Sequence, residues 1–241
     1  MRRLGPVGRG VLWCGLLGLA LMALASVEVG AHGLTGKNAT FVQSIQGQAI
    51  GPFLYLGAKH MVTGYDHLAF LFGVIFFLYR VKDVVLYVSL FTIGHSLTLL
   101  GGVLGGVQAN AHIVDAIIGA SVVYKAFENM GGFEKLLGVR PNTRVAVLIF
   151  GLFHGFGLAT KLQEFALSQN GLVANIVSFN VGVEIGQMLA LGAVLGALTL
   201  WRASPSFLRH AFVTNTVLML LGFVLTGYQI AGYFVTKPPA S

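Results

Sequence analysis

After residue 50 the chain alternates long apolar runs with short stretches that gather most of its lysines and arginines. The runs are continuous in hydrophobicity and do not alternate every second residue, which predicts helices buried in lipid. Six spans are expected: Pro52–Tyr79, Val84–Gly105, Gln108–Phe127, Val145–Leu162, Leu172–Leu200 and Ala211–Val235. The first is longer than a bilayer requires and should begin with a short lead-in helix before Gly64. Ahead of these spans, basic residues from Met1 to Arg9 precede an apolar run from Val11 to Met22, the pattern of a secretory signal peptide. Cleavage is expected after Ala25 or Ala31, the second of which would make His32 the new N-terminus. The expected organisation is a signal peptide over 1–31, an exported polar linker over 32–50, a transmembrane domain over 51–235 and a short exported tail over 236–241. The fold class is therefore all-α: a polytopic membrane protein with a six-helix bundle following a cleaved signal.

Composition agrees with the pattern. The 241 residues are 56% hydrophobic and only 10% charged, against about 25% charged in soluble domains. The 33 glycines suit close helix packing. A formal charge of +7 needs no nucleic acid, because the basic residues sit beside the spans and act as topology signals. Arg80, Lys82, Lys125, Lys135, Arg140, Arg144, Arg202 and Arg209 fall on one side, and only Lys37, Lys59, Lys161 and Lys237 on the other. The richer side is expected in the cytoplasm, with both mature termini outside. Cys14, the single cysteine, lies in the signal region, so cysteine metal sites and disulfides drop out for the mature chain.

Polar residues within the spans are few, and they carry the chemistry. His60 and His67 flank Gly64 in span one and are seven residues apart, about two turns or roughly 10 Å on a continuous helix. Asp66 adjoins His67. His95 lies near mid-depth in span two and His154 in span four. Asn180, Glu184 and Gln187 share one stripe of span five. Asp115 sits near the outer end of span three, one turn after His112, which is expected at the interface; His210 is expected in a cytoplasmic loop. Ionisable groups in hydrocarbon cost on the order of 2.5–3.5 kcal/mol each on the mildest scales, so their accumulation marks a site. Imidazole with carboxylate or amide oxygen and no sulfur suits Ni²⁺, with Zn²⁺ or Co²⁺ as alternatives. No phosphate-binding motif is present. The membrane potential would supply about 4.6 kcal/mol per 100 mV to an inward-moving dication, at about 2.3 per charge. Gly94-His95 and His154-Gly155 would also fit a three-plus-three inverted repeat.

His60-x-x-x-Gly64-x-Asp66-His67 followed by Leu68-Ala69-Phe70-Leu71, then Gly94-His95-Ser96, Phe153-His154-Gly155-Phe156-Gly157 and Asn180 to Gln187, resemble the HupE/UreJ family. The resemblance runs from about His32 to Tyr228, and Met61 after the first motif histidine is similar to the UreJ-like branch. It implies a bacterial inner-membrane nickel or metal permease linked to hydrogenase or urease, with a metalloenzyme maturation system as the partner expected from that link. It implies a cleaved signal and a mature chain beginning near Ala31-His32, with His60, Asp66 and His67 as the metal-binding motif. The wider metal set expected is His60, Asp66, His67, His95, His154, Asn180, Glu184, Gln187, Asp115 and His32. No catalytic role and no permanently bound cofactor are expected; the metal is cargo. Two other classes stay open: a haem-b electron-transfer protein using His95 and His154, and a non-transporting assembly subunit of a metalloenzyme. An intramembrane di-iron enzyme is disfavoured, because none of the seven histidines forms a closely spaced pair.

Overall fold

The computed structural model describes residues 47–163 and 170–236. The expected signal peptide, Cys14 and His32 lie outside the described residues. Within them the chain forms eight helices: α1 (Ile50–Thr63), α2 (Tyr65–Ile75), α3 (Val81–Leu104), α4 (Ala111–Asn129), α5 (Gly132–Leu137), α6 (Thr143–Gln163), α7 (Leu172–Arg202) and α8 (Ser206–Thr236). Four of them, α3, α6, α7 and α8, are long and apolar enough to cross a membrane. The 19-residue α4 carries Asp115, Lys125 and Glu128, which lower its hydropathy. All three charges are paired within the bundle, Asp115 with Lys161 and Lys125 with Glu128. His210, expected in a loop, instead lies in the first turns of α8, where its Nδ1 meets the Ser206 carbonyl.

The stretch expected as the first span is two helices broken at Gly64, whose ψ of 85° leaves the helical region. Asp66 then occupies the first turn of α2, and its Oδ1 accepts from the His67 backbone N–H at 2.8 Å. A carboxylate there satisfies an orphan donor and faces the positive end of the helix dipole. At the other end of α2, the Arg202 guanidinium donates to the carbonyls of Phe76 (2.8 Å), Leu78 (2.9 Å) and Ile75. It thus supplies partners to carbonyls that a helix end leaves unpaired.

The long helices associate as three close pairs. In the first, α1 and α2 run parallel to α7: Asn175 bonds Gly47 and Ala49, Gly182 meets Leu54, Gly186 meets Ala58, and Arg202 reaches Ile75. In the second, α3 runs parallel to α6, with Gly151 against Phe91 and Gly155 against His95. In the third, α4 runs antiparallel to α8, with Gly232 at His112, Gly119 at Thr226 and Thr216 at Met130. A Cβ on Gly57, Gly182 or Gly155 would stand 2.0 Å from a backbone carbonyl oxygen of the neighbouring helix, so only glycine allows these approaches. Polar bonds as well as aromatic contacts link the pairs, among them Gln187 to Thr92 (2.7 Å), Asn180 to Ser96 (2.9 Å), and Asn129 to the Gly73 carbonyl (2.8 Å).

Candidate functional site

Where α2, α3 and α6 meet the end of α1, four imidazoles come together. The His67 ring is central, with centroids 5.2 Å from His60, 5.7 Å from His95 and 4.7 Å from His154. All four are 0–2% exposed. The break at Gly64 makes this possible: it redirects the chain so that His60, at the end of α1, and His67, in the first turn of α2, meet edge to edge. Phe91 touches the rings of His67, His95 and His154, while Phe70 touches His154 and Phe179 touches His60. This aromatic shell keeps water away from the nitrogens.

Two of the imidazoles have a defined tautomer. His67 Nδ1 is 2.9 Å from Asp66 Oδ1, and His154 Nδ1 is 2.7 Å from the Phe150 carbonyl. A carbonyl or ionised carboxylate can only accept, so Nδ1 carries the proton and Nε2 is left with its lone pair. Both Nε2 atoms are buried without a hydrogen-bond partner, as are both ring nitrogens of His95. An imidazole held by an oxygen at Nδ1 and bare at Nε2 is the arrangement that metal-ligating histidines adopt. Yet no three His, Cys, Asp or Glu side chains among the described residues are already arranged to hold a metal together. The rings are gathered, not closed around a point.

The other residues singled out from the sequence divide. Asn180 and Gln187 are buried and bridge α7 to Ser96 and Thr92 of α3; Asn180 Oδ1 has no partner. Glu184 does not join them. Its side chain is exposed on the outer face of α7, because Gly182 and Gly186 occupy the α1 contact while Asn180 and Gln187 take the α3 seam. The shared stripe is real, but 40–60° of rotation about a helix suffices to turn one of its members outward. Asp115 is likewise apart from the imidazoles, bound by Lys161 Nζ at 2.6 and 2.9 Å. Sequence reasoning missed Ser96 and Thr92 as amide partners, although their i, i+4 spacing on α3 marks one face. It also missed the aromatic shell, which apolar runs conceal.

A family model described as HupE / UreJ protein matches residues 36–237. The chain belongs to the HupE/UreJ family. That family is associated with nickel or metal transport or with accessory functions, and is not a catalytic one. No curated protein and no solved structure gives a match. For this HupE/UreJ protein the match covers every residue of the imidazole cluster and both amides of the α3/α7 seam. With its four long apolar helices, it is a multi-pass membrane protein.

Proposed function

We propose that the chain is an inner-membrane permease for a divalent transition-metal ion, nickel foremost and zinc or cobalt as alternatives, driven inward by the membrane potential. The observation that carries this reading is the pair of buried, oxygen-oriented imidazoles, His67 and His154, whose Nε2 lone pairs face no donor. Asp66 orients His67 and contributes negative charge; His60 and His95 complete the imidazole set, and the Asn180 and Gln187 amides lie beyond it toward α7. Ligands gathered but not closed suit an ion that must bind and leave again. A haem is a poor fit, since the His67 ring packs against both His95 and His154, with centroids 5.7 and 4.7 Å away, in a site closed by aromatic rings.

In this reading α1–α2 and α4 complete six spans with the four long helices. The directions of the three pairs support it, because spans that alternate through a bilayer must run parallel for one–five and two–four and antiparallel for three–six. The basic residues then place the α2–α3, α4–α6 and α7–α8 connections in the cytoplasm and both mature termini outside. An export signal would precede the bundle, and a freed His32 would add one more ligand at the mouth.

The test is uptake of nickel-63 by the full-length protein in liposomes with an inside-negative potassium diffusion potential. Potential-dependent accumulation that is lost in His154→Ala is the expected result. Nickel binding without accumulation would overturn the permease and assign the chain an accessory role.

A further inference from the structure

The Asp115 carboxylate is built like a cation site, and a cation of the chain's own occupies it. Lys161 Nζ sits 2.6 and 2.9 Å from its two oxygens, and Gln229 Nε2 donates to Oδ2 at 3.3 Å. That leaves Gln229 Oε1 to accept from His112 Nδ1 at 2.8 Å. By the reasoning applied to His67, an amide oxygen at Nδ1 leaves His112 Nε2 with its lone pair. Carboxylate, amide and imidazole from α4 and α8 are thus chained together, with the ammonium reaching in from α6. Asp115 is 8% exposed, so this pair is largely out of water.

Its position relates it to the imidazoles. Lys161 follows His154 by seven residues on α6, so it stands on the same stripe about two turns, or roughly 10 Å, further along. Gly157 lies between them, and a Cβ there would come 3.6 Å from Asp115 Oδ1. Moreover, Lys161 is near the end of α6 that faces the exported side in the orientation proposed above. An ion approaching His67 and His154 from that side therefore meets the Asp115–Lys161 pair first.

We propose that the Asp115 carboxylate, positioned by the Gln229 amide and through it by His112, is an outer station for the divalent cation, and that the Lys161 ammonium is its resident competitor. Arrival of a dication displaces the ammonium, which swings away on its flexible stem, and departure of the dication toward the imidazoles lets it return. The device favours divalent over monovalent ions: one positive charge only matches the ammonium it must displace, while two exceed it. It also keeps the carboxylate compensated between ions, when an unpaired charge would be costly. The direction of approach rests on the permease reading; the station itself does not.

Full-length wild type, Lys161→Met and Asp115→Asn/Lys161→Met in nanodiscs are compared by equilibrium dialysis against nickel-63, each first checked for cooperative thermal unfolding. Across a nickel titration, Lys161→Met is expected to fill the outer site at several-fold lower free nickel than wild type, and Asp115→Asn in the same chain to remove that site from the isotherm. Coincident isotherms for folded wild type and Lys161→Met overturn the station. A second measurement needs no variant: acylation of Lys161 in wild type, read by mass spectrometry, should rise several-fold when nickel chloride is added and should not with potassium chloride. Unchanged labelling overturns the displacement. If the tighter outer site appears in Lys161→Met while liposomes show no uptake, the permease reading alone falls.

Discussion

Replacing Gly155 by alanine tests whether the imidazole cluster depends on the closeness of α3 and α6. The added Cβ would lie 2.0 Å from the His95 carbonyl oxygen and 2.5 Å from Thr98 Oγ1. Backbone contacts below 3.0 Å do not occur, so the helices must part by at least 1.0 Å, the difference between 3.0 and 2.0. A gap of about 0.5–1 Å forfeits a quarter to a half of each dispersion contact, and overpacking of this kind costs about 1–3 kcal/mol. His95 rides on α3 and would move by a similar amount relative to His154, beyond the roughly 0.5 Å within which a binding constellation must be held. The controls are Gly101→Ala and Gly192→Ala, which meet nothing within 4 Å and should gain up to about 1 kcal/mol of helix propensity. Thermal unfolding and nickel calorimetry on detergent-purified protein are the assays. Gly155→Ala should unfold at a lower temperature and lose nickel affinity by about tenfold or more, equivalent to ~1.4 kcal/mol. If it matches Gly101→Ala in both measurements, the link from helix contact to cluster geometry is refuted.

Asp66→Asn keeps the side chain's shape and can still accept from the His67 N–H, but removes the charge; nickel uptake should drop sharply while the unfolding temperature moves little. Arg202→Met strips the carbonyls of Ile75, Phe76 and Leu78 of their donor and should lower stability by about 2 kcal/mol in thermal or denaturant unfolding. Arg202→Lys should recover only part of it, because an ammonium lacks the planar fork. Glu184→Gln should leave nickel-63 uptake at the wild-type level, since the side chain points out of the bundle; a loss of uptake would show that the carboxylate reaches the ion after all.

Much of this was legible in the residues. The long helices fall within a few positions of the expected spans, because hydrophobic run length is a local property. His60, His67, His95 and His154 were identifiable one by one, since an imidazole in an apolar run is conspicuous. Their convergence on His67 was not, because it depends on the turn that Gly64 makes and on which helices pair. Glu184 shows the same limit from the other side. It shares a stripe with Asn180 and Gln187, but a stripe has width, and the glycines at 182 and 186 determine which edge faces inward. Asp115 looked like a ligand because its counter-ion lies 46 residues away on another helix, at a distance only the fold sets.

The pairing scheme carries one further regularity. Exchanging the first half of the bundle (α1–α2, α3, α4) with the second (α6, α7, α8) maps the α1/α7 pair onto α6/α3, and the α4/α8 pair onto itself. A Cβ on Gly57 of α1 would stand 2.0 Å from an α7 carbonyl oxygen, just as one on Gly155 of α6 would stand 2.0 Å from an α3 carbonyl oxygen. The helix pairing is unchanged by this exchange, while the chemistry is not: α3, α6 and α1–α2 carry the clustered imidazoles, and α7 answers with Asn180 and Gln187. The α3/α7 seam, which the exchange maps onto itself, is held by the neutral bonds Asn180–Ser96 and Gln187–Thr92. Interhelical bonds of that kind average about 0.6 kcal/mol in membranes, and each has a partner able to re-form after a shift. Parting a glycine-packed pair would instead sacrifice contact along the whole length of two helices. In the permease reading proposed above, a motion that parts this seam, next to His95 and the unpartnered Asn180 oxygen, breaks two neutral bonds and leaves the glycine-packed pairs whole.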